Sequence, residues 1–191
     1  MKVTNPKIFG LILAGGYSRR MGRDKALIEF HGLPQVEYAF NLLQSFCKAV
    51  YLSKRPDQPS YKNFAFINDH PEFANRGPLA GILSAMKEDS QADWIVLACD
   101  LPFVNQETIK ALTEHRDPKK IATAFISAHD RLPEPLCAIW EAHAYPSVLE
   151  MFNHGIHCPR KVLIKGDTHL IKASNPQWLE NINTPEDLNK L

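Results

Sequence analysis

The run Lys7-Ile8-Phe9-Gly10-Leu11-Ile12-Leu13, continuing into Ala14-Gly15-Gly16-Tyr17-Ser18-Arg19-Arg20-Met21-Gly22-Arg23-Asp24-Lys25, decides the fold. Its first part is an apolar run with no alternation. Such a run suits a strand covered on both faces, as in a parallel sheet. Its second part is a loop with three glycines and four cations, Arg19, Arg20, Arg23 and Lys25.

Outward from this stretch, the pattern alternates. Pro34–Phe46 reads as a helix with Pro34 in its first turn. Ala49–Ser53 and Phe64–Ile67 read as short strands. Gly77–Glu88 is a helix with Leu79, Ile82, Leu83 and Met86 on one stripe. Trp94–Ala98 is a second unbroken apolar strand, ending at Cys99-Asp100-Leu101-Pro102. Asn105–His115 is a helix with an Asn cap. Strands are expected at Lys120–Ile126, Pro135–Trp140 and His169–Ile171, helices at Ala142–Phe152 and Pro159–Ile164, and a helix start at Thr184-Pro185-Glu186-Asp187. Strands alternating with helices predict a mostly parallel α/β sheet with right-handed crossovers. Ligands of such sheets bind beyond the carboxyl ends of the strands. That rule selects the segments after Leu13, after Ile67 and after Ala98.

Composition narrows the function. At 191 residues the expectation is one domain, 1–191. Apolar and charged shares of 45% and 23% are those of a globular chain. A net charge of +1 gives no global field for nucleic acid or an anionic membrane. The longest apolar stretch, Ile8–Gly16, is far shorter than the ~20 residues that span a bilayer. Cys47, Cys99, Cys137 and Cys158 form no C-x-x-C pair, which argues against a disulfide framework or a zinc knuckle. A cytoplasmic chain with reduced thiols is expected.

Glycines after a buried strand let successive backbone N–H groups close on an anion. Gly15 and Gly16 have that position, and the four cations add charge-assisted donors, each worth roughly 1.5–3 kcal/mol. A P-loop is excluded, because five residues separate Gly16 from Gly22 and Arg23-Asp24 follow. A dinucleotide fingerprint is excluded too: its glycine spacing is missing, and Ser53-Lys54 stands where it wants an acid. The plainer reading, a glycine turn with solvated cations, leaves the coincidence of strand, glycine pair and cations unexplained.

The segment Leu13-Ala14-Gly15-Gly16-x-Ser18-x-Arg20-Met21-Gly22-x-Asp24-Lys25 closely resembles the signature of the nucleotidyltransferases that act on the molybdenum cofactor. The resemblance continues through Gly77-Pro78-Leu79-Ala80-Gly81, Cys99-Asp100-Leu101-Pro102, Glu134-Pro135-Leu136-Cys137-Ala138 and Asn181-Ile182-Asn183-Thr184-Pro185-Glu186-Asp187-Leu188. It implies a three-layer, Rossmann-like, mostly parallel sheet of the nucleoside-triphosphate transferase type. It also implies that Leu13, Ala14, Gly15 and Gly16 wrap GTP, that Lys25 contacts phosphate, and that Arg20 helps with the leaving pyrophosphate. Asp100 is implied as the Mg²⁺ ligand, Asp69 as a nucleotide-binding acid, and Asn183 as a residue of the acceptor side. The Leu-Ala-Gly-Gly and Gly-Pro-Leu-Ala-Gly segments go with guanine. Turn capping by Asp100 and Asp69, and helix capping before Pro185, are the plainer readings of those residues.

The implied reaction transfers GMP from GTP to the terminal phosphate of molybdopterin, or Mo-molybdopterin, with release of pyrophosphate. Molybdoenzyme-maturation proteins are implied as further partners by the pathway. Cytidyl transfer to the same cofactor, transfer to a sugar phosphate, and a nucleotide-binding module without turnover stand as alternatives. Arg160, Lys161 and the Glu134–Cys137 region are candidate walls of the pterin site, and residues 129–133 read as a flexible loop on that side. His154, His157 and Cys158 have a ligand-like spacing with no evident fourth ligand. Trp94, Trp140 and Trp178 are expected in the core, and Cys137 as a small buried side chain.

Overall fold

The computed structural model describes residues 7–14, 25–54 and 64–182. In these segments the chain forms seven strands: β1 (Lys7–Leu13), β2 (Val50–Lys54), β3 (Phe66–Asn68), β4 (Ala92–Ala98), β5 (Ala122–Ile126), β6 (Pro133–Trp140) and β7 (Thr168–Lys172). Five α-helices accompany them: α1 (Gln35–Gln44), α2 (Pro78–Glu88), α3 (Gln106–Glu114), α4 (Tyr145–Asn153) and α5 (Pro159–Lys165). The strands make one sheet in the order β3-β2-β1-β4-β6-β5-β7. Only β6 runs against its neighbours β4 and β5; the other pairings are parallel.

The central strands are unbroken apolar runs from Ile8 to Leu13 and from Trp94 to Ala98 because each feeds two cores. Ile12, Ile95 and Leu97 pack on one face with Val36, Leu43, Ile109 and Leu112 of α1 and α3. Leu11, Trp94 and Val96 pack on the other with residues of α2, α4 and α5, among them Leu83, Val148 and Val162. Helix, sheet and helix thus form the three expected layers. Trp94, Trp140, Trp178 and Cys137 are all buried, as expected. No helix among the described residues is long and apolar enough to cross a membrane.

Most expected elements appear with ends moved by a residue or two. Asn105 caps α3 as a capping box, accepting from the Thr108 N–H while Thr108 Oγ1 accepts from the Asn105 N–H. Three differences have local causes. The expected helix Ala142–Phe152 opens as a 3-10 turn, Ala142–Ala144, before α4; the Ala142 N–H is engaged by Asp93 Oδ1 at 2.9 Å. Strand β6 reaches back to Pro133, whose missing N–H is tolerated beside a register shift in the β5–β6 pairing. Residues 129–133 are a pinned turn rather than a flexible loop. The Ser127 N–H donates to Leu132 O, the Arg131 N–H to Ser127 O, and Arg160 bridges Asp130 and Glu134 at 2.9 and 3.0 Å. The helix start expected at Thr184 lies outside the described residues.

Candidate active site

The parallel strands β3, β2, β1 and β4 end on one edge of the sheet. Leu13 at the end of β1 stands opposite Ser53 of β2 and Ala98 of β4, and Lys54 stands opposite Asn68 of β3. The ladder continues one residue past the strands. The Ala14 N–H donates to Ser53 O at 3.2 Å, the Cys99 N–H to Leu13 O at 3.4 Å, and the Asp69 N–H to Lys54 O at 3.2 Å. The glycine-rich loop, the Asp69 segment and the Asp100 segment therefore all leave the sheet from the same rim. The chain runs from β1 outward to β2 and β3, then returns to β4 on the other side of β1. That reversal makes the β1–β4 gap a topological switch point, where open α/β sheets form their ligand crevice. Leu13 and Ala14 stand on one side of the gap, and Cys99 and Asp100 on the other.

On the β2 and β3 side, Ser53 Oγ lies 3.5 Å from Asp69 Oδ1. Helix α2 presses close behind them. A Cβ on Gly81 would collide with Ser53 Oγ and come within 3.1 Å of Leu13 Cδ2. The glycine of the Gly77–Gly81 motif is therefore required by packing of the helix on the strand ends. Gly77 has a separate reason: its backbone, φ 67° and ψ −155°, lies where side-chain-bearing residues are rarely found. Ser84 of α2 accepts from the His70 N–H at 2.8 Å and donates to Ala80 O at 2.7 Å, which fixes the segment carrying Asp69 to the helix. Lys54 is a buried cation, its Nζ 4.4 Å from the centre of the Phe66 ring.

On the β4 side, Asp100 is partly buried, and the carbonyls of its loop are held from two directions. The Ile182 N–H donates to Asp100 O at 3.0 Å, which brings the segment leading to Asn183 against the aspartate. From the segment after Lys25, His31 Nε2 lies 2.7 Å from Pro102 O, Gln35 Nε2 lies 3.5 Å from Leu101 O, and the Tyr38 hydroxyl donates to Val104 O at 3.1 Å.

Of the residues expected from sequence, Leu13, Ala14, Asp69 and Asp100 come together on this rim. Lys25 opens a short 3-10 turn, Lys25–Leu27, whose Ala26 and the following Ile28 are buried; the Lys25 side chain, Gly15, Gly16, Arg20 and Asn183 lie outside the described residues. Cys137 is no wall of a pocket. It is fully buried, and burial pushes its thiol up to about 12. Burial raises the Glu134 carboxyl above its ordinary value although Arg160 pulls it down. A groove of about 550 Å³ that includes Lys161 is lined by α5 and the turn before it, and by no residue of the β1–β4 rim. Ser53 and Lys54 at the end of β2 were legible only as the absence of a dinucleotide acid. His31, Gln35 and Tyr38 gave no signal, because their partners are main-chain carbonyls distant in sequence.

The donor set on the rim is oxygen-rich. Among the described residues no three His, Cys, Asp or Glu side chains cluster as a metal centre. Mg²⁺ needs no such cage, because it is commonly held by one or two carboxylates together with substrate phosphates and waters. A carboxylate on the rim of strand ends, as Asp100 is, fits that cation.

Comparison with known proteins agrees with the geometry. A family model described as the MobA-like NTP transferase domain matches residues 10–169. A molybdenum cofactor biosynthesis bifunctional protein of Synechocystis sp. is 36% identical over 99% of this chain; the chain spans 55% of that protein's length. A probable molybdenum cofactor guanylyltransferase of Nostoc sp. is 32% identical over 93% of this chain and 87% of its own. The crystal structure of molybdopterin-guanine dinucleotide biosynthesis protein A from Archaeoglobus fulgidus has the same fold, with a TM-score of 0.77 over 95% of each chain at 24% identity. With its fold, its rim of strand ends and these likenesses, the chain belongs to the MobA-like NTP transferase family and is a nucleotidyltransferase.

Proposed function

We propose that the chain, as one domain over residues 1–191, transfers GMP from GTP to the terminal phosphate of molybdopterin or Mo-molybdopterin in the cytoplasm. The observation that carries this reading is the switch point between β1 and β4. There Ala14, which leads into the glycine-rich segment, and Asp100 follow adjacent, in-register strands. The names of the relatives support the choice of base and acceptor.

The chemistry asks little of a general base. The acceptor is already an anion near pH 7. Its oxygen forms a bond to the α-phosphorus of GTP, and the bond from that phosphorus to the α–β bridging oxygen breaks, its electron pair leaving with pyrophosphate. Catalysis is then positioning and charge neutralisation. The main chain of Leu13–Gly16 wraps the nucleotide, and Lys25 and Arg20 bear on the phosphates. Asp69, tied through its N–H to β2, fixes the nucleoside side of the crevice. Asp100 is the residue that would hold Mg²⁺, which supplies charge neutralisation between phosphate oxygens when bound. Asn183 is assigned to the acceptor side by the resemblance of its segment. Maturation proteins for molybdoenzymes are the expected recipients of the product.

The test is a nucleotide comparison with a turnover assay. GTP with Mg²⁺ at 100 times its dissociation constant stabilises the fold by ~2.7 kcal/mol, and CTP does so far less. Pyrophosphate appears only when molybdopterin is also present. Stabilisation by CTP and not by GTP would overturn the guanine reading, and binding without pyrophosphate release would overturn the enzymatic one.

A further inference from the structure

The loop that carries Asp100 is held through its own main chain. Asp100 O, Leu101 O, Pro102 O and Val104 O each accept a hydrogen bond from a distant part of the chain. Three of these four come from a single unit, the segment from His31 into α1. This unit follows directly on the 3-10 turn that Lys25 opens. Its neck is closed by main-chain contacts, a bridge between Glu29 and Pro34 and a 2.9 Å bond from the Gln35 N–H to Ile28 O. Ala26 and Val36 share one core cluster with Cys99, Leu101 and Val104, and Tyr38 packs against it. The unit and the Asp100 loop are therefore one packed body.

The chemistry of the three contacts is suited to fixing a loop. A carbonyl oxygen can only accept, so His31 Nε2 carries its proton toward Pro102. The His31 ring lies flat on Tyr38, 4.0 Å between centroids and 24° between planes, which sets its orientation. Burial raises the Tyr38 phenol above its ordinary value, so the hydroxyl remains a donor to Val104 O. Gln35 is almost wholly buried, at 1% exposure, and its Oε1 has no hydrogen-bond partner among the described residues. An unpaired buried acceptor is costly, and a purely apolar residue would fill that core position without the cost. None of the three residues stands on the rim formed by the strand ends.

We propose that His31, Gln35 and Tyr38 are positioning residues that clasp the Asp100 loop to the segment bearing Lys25, so that the aspartate is set for the metal–nucleotide complex. The inference rests on the reading of Asp100 as the Mg²⁺ carboxylate. The clasp acts on main-chain carbonyls, so it orients the aspartate through its loop. Supports of this kind behind a metal ligand typically alter affinity by about 10–100-fold when removed.

The experiment uses the full chain and reads binding as well as turnover. GTP affinity is measured by calorimetry across a Mg²⁺ series for the wild type, His31→Ala, His31→Gln, Tyr38→Phe and the double variant His31→Ala/Tyr38→Phe, with thermal unfolding of each. His31 is exposed and Tyr38→Phe is nearly isosteric, so these variants keep the fold. The Mg²⁺ concentration needed for half of the metal-dependent gain in GTP affinity rises about tenfold in the double variant, while GTP affinity without metal stays at the wild-type value. His31→Gln, which retains a donor of similar reach, recovers most of the loss relative to His31→Ala. In an Asp100→Asn background, the double substitution adds nothing further. A double variant with the wild-type Mg²⁺ dependence overturns the clasp, as does one in which metal-free GTP affinity falls by the same factor. A wild-type protein whose GTP affinity does not respond to Mg²⁺ overturns instead the reading of Asp100 on which the clasp rests.

Discussion

Strand β4 has an aspartate at each end, and the two are held in opposite ways. At the amino end, Asp93 is buried in an ion cluster: Arg116 donates Nε to Glu141 at 2.8 Å, and its Nη2 reaches both Glu141 and Asp93. The Ala142 N–H takes the other Asp93 oxygen. Asp93, Arg116 and Glu141 side chains are at most 10% exposed. At the carboxyl end, Asp100 is partly buried on the rim, and its loop is held through main-chain carbonyls. A carboxylate enclosed with a buried guanidinium serves the fold. One on the carboxyl rim of a parallel sheet stands where ligands of such sheets bind.

The comparison is broken most directly at its functional end. Asp100→Ala lowers pyrophosphate release at least about a thousandfold, at the upper end of the loss on removing one electrostatic stabiliser of a transition state, while the unfolding midpoint stays within a few degrees. Wild-type turnover in that variant would remove Asp100 from the site. At the other end, Arg116→Met reverses the pattern. It leaves two buried carboxylates without their cation and costs about 3 kcal/mol in urea unfolding. The fraction that remains folded binds GTP as the wild type does. A loss of GTP affinity matching the loss of stability would show that the two ends are not separable.

Gly81 tests the rim from behind. Gly81→Ala forces α2 away from Ser53 and Leu13, destabilises the fold by roughly 1–2 kcal/mol, and weakens nucleotide binding severalfold. Adding Ser53→Gly relieves the collision and returns the stability but not the affinity; full recovery of both would mean that Ser53 has no part in the site.

The smallest effect concerns Glu134, which stands between the two cases: partly buried, yet paired with Arg160. Its folded pKa is raised chiefly by burial. The folded state therefore holds this proton more readily than the unfolded chain does. The resulting stabilisation is complete below the ordinary glutamate value and is lost as pH rises through the raised folded value. Urea unfolding followed from about pH 4 to pH 7 shows a shallower fall for Glu134→Gln than for the wild type, and identical slopes would contradict the assignment.

The architecture was legible because its central strands carry unbroken apolar runs, Ile8–Leu13 and Trp94–Ala98. In Lys7–Leu13 and Ala92–Ala98 alternate residues enter different cores, so the absence of alternation itself announced a covered parallel sheet. Asp69 and Asp100 were legible for a related reason, since a polar residue just past such a strand must lie on its carboxyl rim. The ion cluster of Asp93, Arg116 and Glu141 was not legible, because its members come from three separate stretches of the chain that only folding brings together. The clasp was hidden likewise: a main-chain carbonyl leaves no trace in residue type. Pro133 concealed the start of β6, since a proline argues against a strand until its pairing is known.

The central claim is that GTP sits across the gap between β1 and β4, with Asp100 beside its phosphates. A crystal structure with GTP and Mg²⁺ tests it most directly. The account predicts the triphosphate against the backbone of Leu13–Gly16 and the cation between its oxygens and the Asp100 carboxylate; a nucleotide bound elsewhere, or a cation held without Asp100, would contradict it.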